Sequence, residues 1–496
     1  MSFIERLAPL RAQPGTRLTA GLDDATLARL VTGHPQLLAA VDAAAAEFER
    51  VREDIRDLLP LDERDQIAAM QDGFVNFYAD DAVTPYVALA ARGAWVVTLK
   101  GAVLYDAGGY GMLGFGHTPP AVLEALAAPQ VMANVMTPHL SQHRFIQALR
   151  KEIGHTRGGC PYARFMCLNS GSEAVGLAAR IADVNAKLQT DPGARHAGAK
   201  IKRVVVKGSF HGRTDRPALY SDSSRRSYLQ HLASYRGEDS VITVAPYDEA
   251  ALKQVFAEAA QQQWFIEAVI LGPVRGEGDP GRSVPPSFYA LARELTRQHG
   301  SLLLIDSIQA GLRAHGVLSI VDYPGFEGLD APDMETYSKA LNAAQFPLSV
   351  LAVTEHAAQL YRKGIYGNTM TSNPRALDVA CATLGLLTPQ VRQNIRERGA
   401  EAVRRLEQLK SELGGLITKV QGTGLLFSCE LAPQVKGYGA NSPEEWLRNH
   451  GINVIHGGEN SLRFTPHFGM DSDELELLVH LVGRALKEGP RREASQ

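Results

Sequence analysis

Cysteine is scarce in this 496-residue chain, which has only Cys160, Cys167, Cys381 and Cys429. Their spacing matches no metal-ligand pattern and no paired framework. That excludes a zinc ribbon or a disulfide-stapled scaffold and predicts no metal site. A reducing, cytoplasmic compartment is the simplest expectation. An excess of one charge is also lacking: 51 Lys and Arg stand against 54 Asp and Glu, a formal net charge of -3. There is therefore no basic footprint for nucleic acid. No apolar run reaches the ~18 residues of a membrane helix. The opening Met-Ser-Phe-Ile-Glu-Arg lacks the apolar stretch of a signal peptide. No internal repeat is visible at periods of ~20–50 residues. What remains, 45% hydrophobic and 21% charged, is an ordinary globular composition with chain enough for two or more domains.

Three textures follow one another. Residues 1–75 are Ala- and Leu-rich, with acidic caps and spaced apolar positions, and predict a helical extension that PLDERDQ interrupts. From about residue 84, VALAARGAWVVTLKGAVLYDAGG predicts short strands between Gly turns. Helix and strand signals then alternate: SGSEAVGLAARIADVNAK, KRVVVKGSF, DEAALKQVFAEAAQQQ, EAVILGPV, PPSFYALARELTRQHG and SLLLID. Alternation of this kind predicts an α/β domain with a mostly parallel sheet, whose ligands sit beyond the carboxyl ends of the strands. After residue 373 two helices, two Gly-turn strand pairs and a closing helix predict a smaller α+β domain.

Four features carry chemistry. Ser170, Gly171 and Ser172 precede a helix, where free N–H groups and the dipole attract an anion; a plain capping box would use the same letters. Phe210 and His211 follow a β-branched strand, so the aromatic could lie on a planar ring or merely fill a gap. Asp306 ends an apolar strand, where a carboxylate is costly unless a cation meets it; capping the next helix is the ordinary alternative. Lys339 follows a short strand-like run and Ser338, and is either a surface charge or an amine held to form an imine with an aldehyde.

Taken in order, GSEA from Gly171, FHGRT from Phe210, RGEG from Arg275, DSIQ from Asp306, SKAL from Ser338, NTMTSNP from Asn368 and LRFTP from Leu462 resemble the class III aminotransferases. These are fold-type I enzymes that use pyridoxal 5'-phosphate. The resemblance covers roughly residues 80–490. It implies an N-terminal helical extension (1–75), a large domain (76–373) around a mostly parallel seven-stranded sheet, and a small domain (374–496) to which the start of the large one could contribute. It further implies that Asp306 meets the ring nitrogen, that Lys339 holds the cofactor as an internal aldimine and then moves the proton, and that Phe210 stacks on the ring. Ser170, Gly171 and Ser172 would hold the phosphate, Gln309 would approach the ring hydroxyl, and His211 would complete the cofactor set. Thr369 would come from the neighbouring subunit of a homodimer with shared sites, a tetramer staying open. Glu277 and Arg463 match an acid that pairs with an arginine until a carboxylate displaces it, which favours 2-oxoglutarate or a substrate α-carboxylate; an ordinary ion pair is the alternative. Tyr110 falls where relatives line the pocket.

The chain departs from the family pattern in places. Ser307 replaces the Glu of Asp-Glu-x-Gln, Gly272-Pro273 replaces Glu-Pro, Val175 stands for Asn, and LRAHG leaves the usual Arg displaced or lost. The run after the lysine is NAAQFPLS. The expected activity is ping-pong transfer of an amino group from an amino acid or ω-amine donor to a keto acid. The altered surroundings leave a racemase or epimerase, lyase or decarboxylase as the alternative on the same scaffold. Retention of Asp306 and Lys339 argues against a non-catalytic homologue.

Overall fold

The computed structural model describes residues 3–108 and 110–490. The chain divides into two compact units, Ala121–Arg396 and Met1–Pro120 with Glu397–Gln496. The helix Pro374–Gly385, read from sequence with the C-terminal region, belongs to the first of these, and the first 120 residues share a unit with the C-terminal hundred.

The unit Ala121–Arg396 is built on seven strands: β1 (Arg164–Leu168), β2 (Lys200–Val206), β3 (Val241–Val244), β4 (Trp264–Leu271), β5 (Leu302–Asp306), β6 (Met334–Tyr337) and β7 (Ser349–Val353). Their order is β1-β7-β6-β5-β4-β2-β3. Only β7 runs antiparallel to its neighbours; the remaining pairings are parallel. This is the mostly parallel sheet the sequence predicts. Each residue of β5 is buried, which explains the unbroken Leu-Leu-Leu-Ile: helices cover both faces of a parallel sheet, so no position alternates to polar. Burying each of these side chains contributes about 1.5–3 kcal/mol. The helix α1 (Gly171–Thr190) lies across β1, β7, β6, β5 and β4. Its contact face is mostly small, with Ala174, Ala178, Ala179 and Ala182 buried in one cluster with Leu168, Ile270 and Leu351. Small side chains let helix and sheet approach closely. β1, β3 and β7 carry no signal strong enough to be read in advance; VITV and SVLAV are too short to separate from loop.

The other unit holds two four-stranded sheets. Strands Ala88–Arg92, Trp95–Thr98 and Val103–Asp106 form an antiparallel meander, as the Gly turns predict, and Ile452–Asn453 adds to it in parallel. Strands Ile417–Thr423, Leu426–Leu431, Ser461–Phe464 and Ile455–Gly457 form the second sheet. The segment from Gly451 to Pro466, read as two strands, is thus three short ones shared between two sheets. The N-terminal extension contains helices Asp24–Leu30, Pro35–Val51 and Glu63–Gln71. Glu63 is buried and anchors it by accepting from the backbone N–H groups of Leu18 and Thr19, both at 2.8 Å. No helix among the described residues is long and apolar enough to cross a membrane.

Candidate active site

Asp306 sits at the carboxyl end of β5, 8% exposed. Its Oδ2 lies 2.8 Å from Nδ1 of His211, and its Oδ1 accepts from the Ile308 backbone N–H at 3.1 Å and from Thr336 Oγ1 at 3.2 Å. His211 is buried as well, and its backbone N–H donates to Ser221 Oγ at 2.8 Å. The carboxylate is therefore fixed from three sides, and imidazole meets part of its burial cost.

Lys339 begins the short turn after β6 with φ +48°, a left-handed conformation that side-chain-bearing residues adopt at a cost. Its Nζ donates to Gln309 Oε1 at 2.6 Å. Gln309 lies three residues past Asp306, so one short turn carries both the acid and the amide that meets the lysine. The Nε2 of Gln309 is buried and has no hydrogen-bond partner among the described residues, and the same is true of His211 Nε2. A bound ligand could supply the partner that each of these two buried nitrogens lacks. The Arg275–Gly278 turn packs on the same amide: a Cβ at Gly276 would collide with Gln309 Cγ.

The start of α1 closes the third side. Ser170 caps it and Glu173 reciprocates, its Oε2 accepting from the N–H groups of Asn169 and Ser170 at 2.8 and 3.0 Å. The capping box is thus real, and it leaves the N–H groups of the next residues at the positive end of a 20-residue helix. A Cβ at Gly171 would stand 2.6 Å from Ile308 Cδ1, so the Asp306–Gln309 turn rests directly on the helix start. Gly212, at φ +108°, has no room for a Cβ against Ser172 Oγ, which seats the FHGRT loop there too. Five motifs far apart in sequence thus converge beyond the carboxyl ends of β1, β2, β4, β5 and β6.

The remaining residues fall as follows. Phe210 is half-buried, with the Arg213 guanidinium 5.5 Å from its ring centre. Thr369 is exposed; its neighbour Asn368 donates to Glu173 Oε1 at 2.8 Å, which brings NTMTSNP to the start of α1. Glu277 is half-buried on the Arg275–Gly278 turn. In the other unit, Arg463 on strand Ser461–Phe464 is 1% exposed, and its guanidinium carbon lies 5.8 Å from the ring centre of Tyr110. The arginine of LRAHG, Arg313, is wholly buried, and burial pushes its guanidinium down to about 9. Sequence reasoning does not reach Thr336, Ser221 or the His211–Asp306 contact, because each depends on which strand ends become neighbours. The one available signal is the Thr placed three residues before the lysine.

These residues fit pyridoxal phosphate: a buried acid suits a ring nitrogen, an amine sits beside an unpartnered amide donor, and a helix start suits a phosphate. A mostly parallel seven-stranded sheet carrying that set at its strand ends defines a fold-type I enzyme that uses this cofactor. The comparisons narrow the class. The aminotransferase class III family model matches residues 77–486. The acetylornithine aminotransferase of Neisseria meningitidis is 28% identical, over 82% of this chain and 96% of its own. That of Xanthomonas axonopodis pv. citri is 32% identical, over 63% of this chain and 71% of its own. Among solved structures, the ornithine aminotransferase of Toxoplasma gondii superposes with a TM-score of 0.73 at 22% identity, covering 88% of this chain and 98% of that one. A transaminase from the marine bacterium Virgibacillus superposes with a TM-score of 0.70 at 17% identity, covering 85% and 98%. The chain belongs to the class III aminotransferase family and is a pyridoxal-phosphate-dependent aminotransferase.

Proposed function

We propose that the enzyme takes an amino group from an amino acid or ω-amine and delivers it to a keto acid, 2-oxoglutarate being favoured, in two half-reactions at one site. The observation that carries this reading is the pairing of Asp306 with His211 and of Lys339 with Gln309 across one short turn. Pyridoxal phosphate, when bound, supplies an aldehyde and an electron-accepting ring. Asp306 holds the ring nitrogen and keeps it protonated, with His211 and Thr336 orienting the carboxylate. Gln309 Nε2 donates to the ring hydroxyl, and Phe210 covers a ring face. Ser170, Gly171 and Ser172 hold the phosphate at the start of α1. Lys339 Nζ would hold the cofactor at its aldehyde end, and as a free amine would move the proton from the donor carbon. Arg463 receives a substrate carboxylate, and Glu277 lies on the substrate side. The acetylornithine names of the curated relatives support an ω-amine donor.

A homodimer is part of the proposal. Met136 and Leu140 are 74% and 75% exposed in a segment that also exposes Val131, Met132 and Val135. Asn134 in this segment donates to the Thr369 carbonyl at 3.2 Å, and Met370 beyond it is 69% exposed. Apolar exposure concentrated there suits a second copy, with Thr369 reaching the partner's phosphate. The test is an amine panel with and without 2-oxoglutarate or pyruvate, following cofactor absorbance, alongside light scattering for mass. A donor alone should convert the cofactor and stop; turnover with no keto acid would overturn the reading.

A further inference from the structure

Glu335 is a fully buried acid near the site, and no step described above uses it. It lies on β6 between Met334 and Thr336, 0% exposed. Strand alternation sends Thr336 toward Asp306 and Glu335 to the opposite face. There its two oxygens accept four hydrogen bonds. Tyr162 Oη and Ser319 Oγ donate to Oε2 at 2.6 and 2.5 Å; Ser307 Oγ and the Ile320 N–H donate to Oε1 at 2.5 and 2.9 Å. The phenols of Tyr323 and Tyr337 are near enough that the charge of this acid, with burial, pushes both well up. Burial pushes this carboxyl up, and its donors pull the other way.

Such a group is costly in a core where an apolar side chain would pack, so its use must lie in what it joins. Ser307 follows Asp306 and opens the turn that carries Gln309. Glu335 stands four residues before Lys339 on the strand that leads to it. One carboxylate thus ties the turn holding the acid and the amide to the strand holding the lysine. The family motif Asp-Glu-x-Gln places an acid at 307; here a serine stands there and donates to an acid supplied by the adjacent strand.

We propose that Glu335 is a positioning residue for the cofactor, fixing the Asp306–Gln309 turn against the strand that leads to Lys339 and standing in for the acid missing at 307. This rests on the assignment of Asp306 and Lys339 to the cofactor. In E335Q the charge is lost and an amide N–H₂ replaces one oxygen, so the two bonds on that side persist only if the hydroxyls of Tyr162 and Ser319 turn from donating to accepting. The experiment titrates pyridoxal phosphate into apoenzyme and records its dissociation constant and the pH midpoint of the bound cofactor's absorbance. Apoenzyme melting is measured separately. E335Q is expected to weaken cofactor binding on the order of tenfold and to move the midpoint, while S307A, which removes a single bond, does so on the order of threefold. Adding S307E to E335Q returns an acid to the turn and restores part of the loss. If both single variants lower only the melting temperature, with binding and midpoint unchanged, Glu335 is structural and the proposal fails. Should E335Q not fold, S307A decides alone. D306N in the same titration separates the two readings: if it binds the cofactor as the parent does, the underlying assignment fails regardless of Glu335.

Discussion

The imidazole Nδ1 of His211 lies 2.8 Å from the Oδ2 of Asp306, although 94 residues intervene between them in the chain and they stand on different strand ends. The contact turns an expensive buried acid into an oriented one and leaves it ready for a cationic ring nitrogen. D306N keeps the size and loses the charge. Activity should fall on the order of 10²–10³-fold and cofactor affinity should weaken, because the stabilising charge is gone. Steady-state rates and cofactor titration check this; near-parent activity would contradict it.

The loop that delivers His211 depends on Gly212, whose φ of +108° and approach to Ser172 both exclude a side chain. G212A should cost about 1–3 kcal/mol of stability from backbone strain alone and loosen phosphate binding. Denaturant unfolding of apoenzyme and cofactor titration report the two effects separately.

Much of this was legible in the chain and some of it was not. Lys339, Asp306 and the GSEA turn stand in local patterns with a chemical meaning, and the unbroken Leu302–Ile305 run announces a strand covered on both faces. Thr336 and Glu335 could not be read because each takes its role from the register of β5 with β6, a non-local pairing. A strictly alternating buried and exposed pattern would have betrayed that register, but both faces of these strands are buried. The unit boundary at Pro120 was hidden for a similar reason: the Gly-punctuated meander near residue 88 pairs in part with Ile452–Asn453, more than 300 residues later.

Arg463 is proposed as the carboxylate receptor. R463A should raise KM for dicarboxylic keto acids on the order of 10²-fold while changing KM for an amine lacking a carboxylate far less. R463K should not restore it, since an ammonium cannot offer the bidentate fork. Equal effects on both substrates would contradict the role.

His315 makes a pH prediction. Its ring meets Tyr323 edge-on at 4.6 Å, and burial, with Arg396 nearby, pushes its imidazole from 6.5 down to about 4. Between these values the unfolded chain binds a proton that the folded chain does not. This contribution to stability is therefore full above about pH 6.5 and is lost as pH falls toward 4. H315F should flatten the acid limb of the stability curve by on the order of 2 kcal/mol, allowing for partial exposure. His299, pushed to about 4 by burial and by His196 and Arg195, keeps the sign of the remaining slope. Denaturant midpoints at stepped pH measure this, and an unchanged slope in H315F would contradict it.

The central claim is that Lys339, held by Gln309 beside Asp306, is the covalent anchor of the cofactor. Borohydride reduction of the holoenzyme followed by peptide mass mapping tests it most directly. A single pyridoxyl-modified peptide carrying Lys339 is expected; modification of a different lysine, or of none, would contradict the assignment.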